Sequence, residues 1–93
     1  MHEDKLKQIL KKVNAIPDLN SSNVIDKIKD ILQKEDSDAY AIWEQNSFQL
    51  NVNFEFSKPY FKISTIKRLS LLELVVSADC DNVLKFLVEA SKN

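Results

Sequence analysis

The sequence of 93 residues contains no glycine. Walker-type phosphate loops and dinucleotide-binding turns need glycine, because only a backbone without Cβ atoms approaches a phosphate closely. The absence of glycine therefore excludes both kinds of nucleotide site. Backbone positions with positive φ must be filled by other residues, of which Asn and Asp are the most tolerant. We expect this role at the breaks between segments, where the sequence has Asn14, Asn20, Asn46 and Asn82.

Histidine and cysteine are scarce, with one residue of each, His2 and Cys80. One His and one Cys cannot build a zinc site in one chain, and without a second His we expect no Ser-His-Asp or Cys-His arrangement. Cys80 lies between Asp79 and Asp81, whose negative charges raise a thiol pKa. We therefore expect no catalytic residues, no metal, no cofactor and no enzyme activity. A single Cys also excludes an internal disulfide, which fits a reducing compartment.

Arginine and long apolar runs are also lacking. Positive charge comes from twelve Lys and one Arg, and the net charge is −1, which argues against a strongly basic nucleic-acid binder. No apolar run approaches the roughly 20 residues that span a bilayer. The first ten residues, MHEDKLKQIL, have no apolar stretch typical of a signal peptide. The expectation is a single domain over residues 1–93, located in the cytoplasm and without a membrane partner.

Two amphipathic helices are predicted at residues 3–15 and 23–35. Apolar residues recur in both segments at the spacing of one helix face. They are Leu6, Ile9, Leu10 and Val13 in the first segment, and Val24, Ile25, Ile28, Ile31 and Leu32 in the second. Pro17 and the polar residues after it separate the two helices.

The hydrophobic period then changes from that of a helix to that of a strand. Residues 39–44, 48–56 and 60–67 are predicted to form a three-stranded antiparallel β-meander. In the middle strand, every second residue is apolar and is expected to face the core: Phe48, Leu50, Val52, Phe54 and Phe56. The alternate residues form a flat outward row of amides and one carboxylate: Gln49, Asn51, Asn53 and Glu55.

Residues 69–77 allow two interpretations. Leu72, Leu74 and Val76 alternate as in a strand, whereas Ser70 and Glu73 have the spacing of a helix capping box. We favour the helix, and a second helix follows it. The predicted fold class is therefore α+β, with two N-terminal helices, the three-stranded meander and two short C-terminal helices. The alternative is a fourth strand at about 69–77 followed by one C-terminal helix.

The segment SLLELVVSADCDNVLKFLVEASKN (70–93) resembles the helix-turn-helix of one ankyrin repeat. Ser70 stands at the capping Thr position of that family, Leu72 and Leu74 match its two leucines, and VLKFLVE matches its second helix. The segment departs from the family pattern at Leu71, Glu73, Asp79 and Ser91. The resemblance implies two short antiparallel helices and a protein-binding function.

The outward row predicts a protein-binding surface, because amides donate and accept hydrogen bonds across an interface. Trp43 on the first predicted strand adds an aromatic anchor if it is exposed. The predicted site is therefore Trp43, Gln49, Asn51, Asn53 and Glu55. The predicted function is that of a non-catalytic intracellular regulator that binds a protein, such as an anti-CRISPR or immunity-type inhibitor from a phage or mobile element.

Two alternative functions remain open. The third predicted strand and the residues next to it include basic and aromatic side chains that suit a nucleic-acid strand: Lys58, Tyr60, Lys62, Lys67 and Arg68. A nucleic-acid-binding accessory protein is therefore the first alternative. An N-terminal domain or subunit of a larger assembly is the second.

Overall fold

The computed structural model describes residues 3–60 and 63–91, although the side chains of residues 57–67 are outside that description. In chain order, the elements are α1 (Glu3–Asn14), α2 (Val24–Glu35), α3 (Ser37–Gln45), β1 (Asn53–Tyr60), β2 (Ile63–Ser70), α4 (Leu71–Ser77) and α5 (Asp81–Ser91). Over these residues the chain is an α-rich α+β fold with one two-stranded antiparallel sheet. The predicted three-stranded meander is wrong.

Helices α1 and α2 form where their apolar spacing predicts them. All four predicted core residues of α1 are buried, and so are Val24, Ile28 and Leu32 of α2. Ile25 and Ile31 lie at the margin of the core and are half-buried. Helix α1 packs against α2, α4 and α5, so the two ends of the chain share one hydrophobic core.

Residues 39–44, predicted as the first strand, belong to helix α3. The Asp36 side chain accepts a hydrogen bond from the Ala39 backbone N–H at 3.2 Å and so caps the helix N-terminus. Ala39 and Trp43 lie four residues apart, on one helix face, and both are fully buried. A spacing of four residues fits one face of a strand as well as one face of a helix, and the cap by Asp36 favours the helix.

Residues 48–56, predicted as the middle strand, are divided between a loop and β1. The backbone N–H groups of Phe48 and Val52 donate to Trp43 and Gln49, respectively, which is a turn pattern. The ladder begins only at Asn53, which lies opposite Ser70. The strand does not extend further back, because α3 occupies the sequence predicted as its partner and β2 leads directly into α4.

The near end of the β1–β2 hairpin is part of the core. The aromatic rings of Phe54 and Phe56 are buried, and Phe54 is 1% exposed. Phe54 packs with leucines of α1, α2 and α4 around a small cavity of about 10 Å³. These leucines are Leu6, Leu10, Leu32, Leu71 and Leu74.

Residues 71–77 are helical, so the alternative of a fourth strand at about 69–77 is excluded. The predicted capping box is present: Ser70 Oγ accepts from the Glu73 N–H, and Glu73 Oε1 accepts from the Ser70 N–H, both at 3.1 Å. Asp79, with φ of 56°, ends α4. Kinship of this segment with ankyrin repeats stays a prediction. No described helix is both long enough and apolar enough to cross a membrane.

Candidate interaction surface around Phe48

An open concavity of about 500 Å³ lies between α2, the loop at 46–52, α4 and α5. Its apolar lining is formed by Ile25, Phe48, Leu50, Leu72 and Ala90. Ser47, Gln49, Asn51 and Ser91 add polar groups, and none of the lining residues is charged. We call this concavity the apolar groove.

Phe48 is held in the groove by contacts on several sides. Its ring meets the Trp43 ring edge-on at 5.2 Å between centroids and the Tyr40 ring at 5.8 Å. The Lys29 ammonium lies 3.9 Å from the centroid of the Phe48 ring, within cation–π distance. These contacts leave Phe48 half-buried, with its orientation set by α2 and α3.

The backbone at Ser47 and Phe48 is left-handed, with φ of 57° and 54°. A residue with a Cβ atom costs roughly 1–2 kcal/mol in this region, and a bulky residue is uncommon there. Two hydrogen bonds hold the conformation: Phe48 N–H donates to Trp43 O at 2.9 Å, and Trp43 Nε1–H donates to Gln49 O at 3.0 Å. Such strain concentrates at functional sites when the surrounding structure imposes it.

A second open concavity, of about 360 Å³, lies beside the first. It is lined by Leu69, Leu72, Glu73, Val76 and Ser77. Leu72 borders both concavities, and Val76 is 58% exposed. Apolar side chains therefore continue from Phe48 along the outward side of α4, opposite the face that enters the core.

The structure separates the predicted protein-binding residues into three groups. Gln49 and Asn51 are exposed and line the apolar groove. Asn53 and Glu55 are exposed on β1, where Glu55 forms a salt bridge with Arg68 at 3.0 Å. Trp43 is 0% exposed and packs under Phe48, so the condition set for Trp43 as an aromatic anchor, an exposed side chain, is not met.

Among the predicted nucleic-acid residues, Arg68 is the one whose side chain the structure describes, and it is exposed and paired with Glu55. For the others in the ladder the structure gives the backbone register, in which Lys67 lies opposite Phe56 and Lys58 opposite Thr65. Tyr60 pairs with Ile63 near the far end of the ladder. Lys62 lies outside the described residues.

The described residues contain no group of three or more His, Cys, Asp or Glu side chains that would hold a metal ion. Cys80 is buried, and burial is the main cause that raises the pKa of its thiol. Asp79 and Asp81 raise that pKa further, and Lys11 opposes them. The thiol is therefore protonated and shielded at neutral pH, which suits packing rather than nucleophilic chemistry.

Sequence reasoning missed Phe48 as a surface residue because the alternation assigned it to the core face of a strand. It also missed Leu72 and Val76, which lie four residues apart on the side of α4 opposite Leu71, Leu74 and Val75. The spacing of that pair could have indicated the surface. A short helix buries one face in the core, so apolar residues on its other side predict a second contact. No sequence signal indicated the position of Lys29 over the Phe48 ring.

Comparison with protein-family models, with curated proteins and with solved structures gave no match.

Proposed function

We propose that this protein is a non-catalytic, cytoplasmic regulator that binds another protein through the apolar groove. The partner contributes an apolar segment that packs on Phe48 and Leu72. Its polar backbone groups bond the side-chain amides of Gln49 and Asn51 at the rim. The observation that carries the proposal is Phe48 itself. Its backbone is left-handed, its ring is held by neighbouring aromatic rings, and it lines an open apolar concavity.

The chemistry of the groove favours a protein partner over a nucleic acid. None of its lining residues is charged, and the Lys29 ammonium beside it lies over the Phe48 ring, so the groove has no cluster of cations that would attract a phosphate. Apolar contacts surrounded by amides that donate and accept hydrogen bonds are typical of protein interfaces. The neighbouring concavity, with Val76 exposed, extends the apolar area that a partner would cover.

The experiment compares two double variants that change charge equally. Gln49→Lys with Asn51→Lys places two cations at the groove, whereas Gln33→Lys with Gln45→Lys places two on exposed positions outside the groove lining. Each protein is immobilised and exposed to an extract of the source cells. Captured proteins are quantified by mass spectrometry, and the melting temperatures of all three baits are measured.

The expected result is one protein captured by the wild type and by the Gln33/Gln45 variant but lost with the groove variant. Titration calorimetry with that purified partner should then show at least tenfold weaker binding to the groove variant, about 1.4 kcal/mol. Equal capture by both variants contradicts the proposal. Capture that disappears on nuclease treatment also contradicts it and supports the nucleic-acid alternative.

The remaining sequence-based hypotheses stay predictions. An inhibitor from a phage or mobile element would bind a protein of the host or of its defence system, which the captured partner would reveal. A domain or subunit of a larger assembly would instead capture the other subunits. The ankyrin-like segment, whose helices correspond to α4 and α5, would also favour a protein partner.

A further inference from the structure

Pro59 indicates which backbone N–H and C=O groups of the β1–β2 ladder point toward the partner strand and which point outward. Opposed pairs in an antiparallel ladder alternate between hydrogen-bonded pairs and pairs whose N–H and C=O groups point away from the partner strand. Proline has no N–H, so it is compatible with a position whose N–H would point outward. Pro59 lies opposite Ser64, which makes this an outward-pointing pair.

Two observations at the other end of the ladder agree on which backbone groups point outward. Ser70, which alternates in step with Ser64, donates its backbone N–H to Glu73 Oε1 rather than across the ladder. Leu71, one residue further, donates its N–H across to Val52 O at 3.1 Å. The outward backbone groups of β2 therefore belong to Ser64, Ile66 and Arg68.

The two outer edges of the sheet differ. On β1 the outward series includes Pro59, which lacks a donor and so weakens pairing with a further strand. On β2 the series from Ser64 to Arg68 has a donor and an acceptor at every position. Within residues 3–60 and 63–91, no third strand covers either edge. An isolated two-stranded hairpin is marginally stable in water, and packing on helices or pairing with further strands stabilises it. Here Phe54 and Phe56 anchor the near end in the core, and a further strand would stabilise the rest.

We propose that the free edge of β2 pairs with β2 of a second copy of this chain, giving a four-stranded antiparallel sheet in a symmetric dimer. A two-fold axis at Ile66 places Ile66 opposite its counterpart and Ser64 opposite Arg68 of the second copy. All three outward residues of each strand then meet outward residues of the other. The same patch serves both copies, as a two-fold interface requires.

The charges of β2 select this register. With the axis at Ile66, Lys67 lies opposite Thr65 of the second copy, and Arg68 lies opposite Ser64. A shift of the axis to Lys67 would put two lysines directly opposite each other, which is destabilising. A shift to Thr65 would pair Ser64 with Ile66 and leave Arg68 opposite a position outside the described residues. The axis at Ile66 is therefore the register that joins all three outward residues within the described strand and opposes no like charges.

The first test is sedimentation equilibrium of the full chain over a concentration series, with two matched proline variants. Ser57 and Ile66 are partners in the ladder, and both N–H groups point outward, on opposite edges. Ile66→Pro removes an outward backbone N–H from β2, and Ser57→Pro removes one from β1. The two substitutions lie at the same position along the hairpin. We expect wild type and Ser57→Pro to dimerise and Ile66→Pro to be monomeric, with circular dichroism confirming that each is folded.

The second test uses cysteine variants in a Cys80→Ala background. Residues facing each other in a hydrogen-bonded pair have Cα atoms about 5.5 Å apart, within the range of a disulfide. Ile66→Cys should therefore form a cross-linked dimer on mild oxidation, and Ser57→Cys should not. A monomeric wild type at every concentration overturns the proposal, as does equal cross-linking of the two cysteine variants.

Discussion

Asn14 at the end of α1 caps the first turn of α5. Its Oδ1 atom accepts hydrogen bonds from the backbone N–H groups of Asn82 at 2.9 Å and Val83 at 3.1 Å, and Asn82 Nδ2 donates to Asn14 O at 3.4 Å. The residue directly before α5 is Cys80, which has no oxygen in its side chain to serve as the cap. The cap is therefore supplied from 68 residues earlier in the sequence, and it ties the two ends of the fold together.

Asn14→Ala should destabilise the protein by about 1 kcal/mol, the usual cost of losing an N-terminal cap. In a domain of this size the melting temperature should fall by roughly 4–8 °C. Asn14→Asp is the matched control, because it keeps an acceptor and adds a negative charge at a helix N-terminus, where charge is favourable. Equal melting temperatures for the Ala variant and wild type would show that water replaces the cap.

Ser47→Gly should stabilise the protein. Ser47 has φ of 57°, where glycine has no Cβ penalty, and the gain exceeds the extra entropy that glycine loses on folding. We expect a net increase of about 0.5–1 kcal/mol in the free energy of unfolding, measured by urea denaturation. Ser47→Ala should show no such gain, since it keeps the Cβ atom. A lower stability for the Gly variant would contradict the left-handed backbone.

Phe54→Ala and Leu50→Ala should differ in cost, although the sequence pattern places both residues on the same core face. Phe54 is buried among leucines of three helices, so its truncation should cost about 3–5 kcal/mol. Leu50 is half-buried at the groove, and its truncation leaves an opening to solvent rather than a cavity. Urea midpoints compare the two variants, and equal losses would mean that Leu50 belongs to the core.

The stability of the protein should fall at alkaline pH through Cys80. Burial raises the pKa of this thiol above its ordinary value of 9.0, so the unfolded chain loses the proton first. The stability that the protonated thiol contributes is fully present below the pKa of Cys80 in the unfolded chain, and it is lost as pH rises through the pKa of Cys80 in the folded protein. Denaturation of wild type and Cys80→Ala over an alkaline pH series measures it. Parallel curves would show that the thiol is not buried in solution.

The candidate site was predicted less well than the two N-terminal helices. Their apolar stripes repeat over three turns, which a strand cannot accommodate, so local periodicity was enough. The capping box at Ser70 and Glu73 was equally local, and it was correct. Gln49 and Asn51 are exposed as the alternation predicted, but they border a groove that depends on α2, α4 and α5. None of these helices adjoins the loop in sequence.

The sequence by itself determined the helices of residues 3–14 and 24–35, the cap of α4 and the absence of glycine-dependent nucleotide sites, because these depend on residues within a few positions of each other or on composition. Only the tertiary structure decided residues 39–56. The local sequence around Trp43 is compatible with a strand and with a helix. Trp43 is a buried helical residue because its indole N–H donates to Gln49 O and its ring packs against Phe48. A strand needs a partner for its backbone, and once α3 had formed, that partner was available only from Asn53 onward.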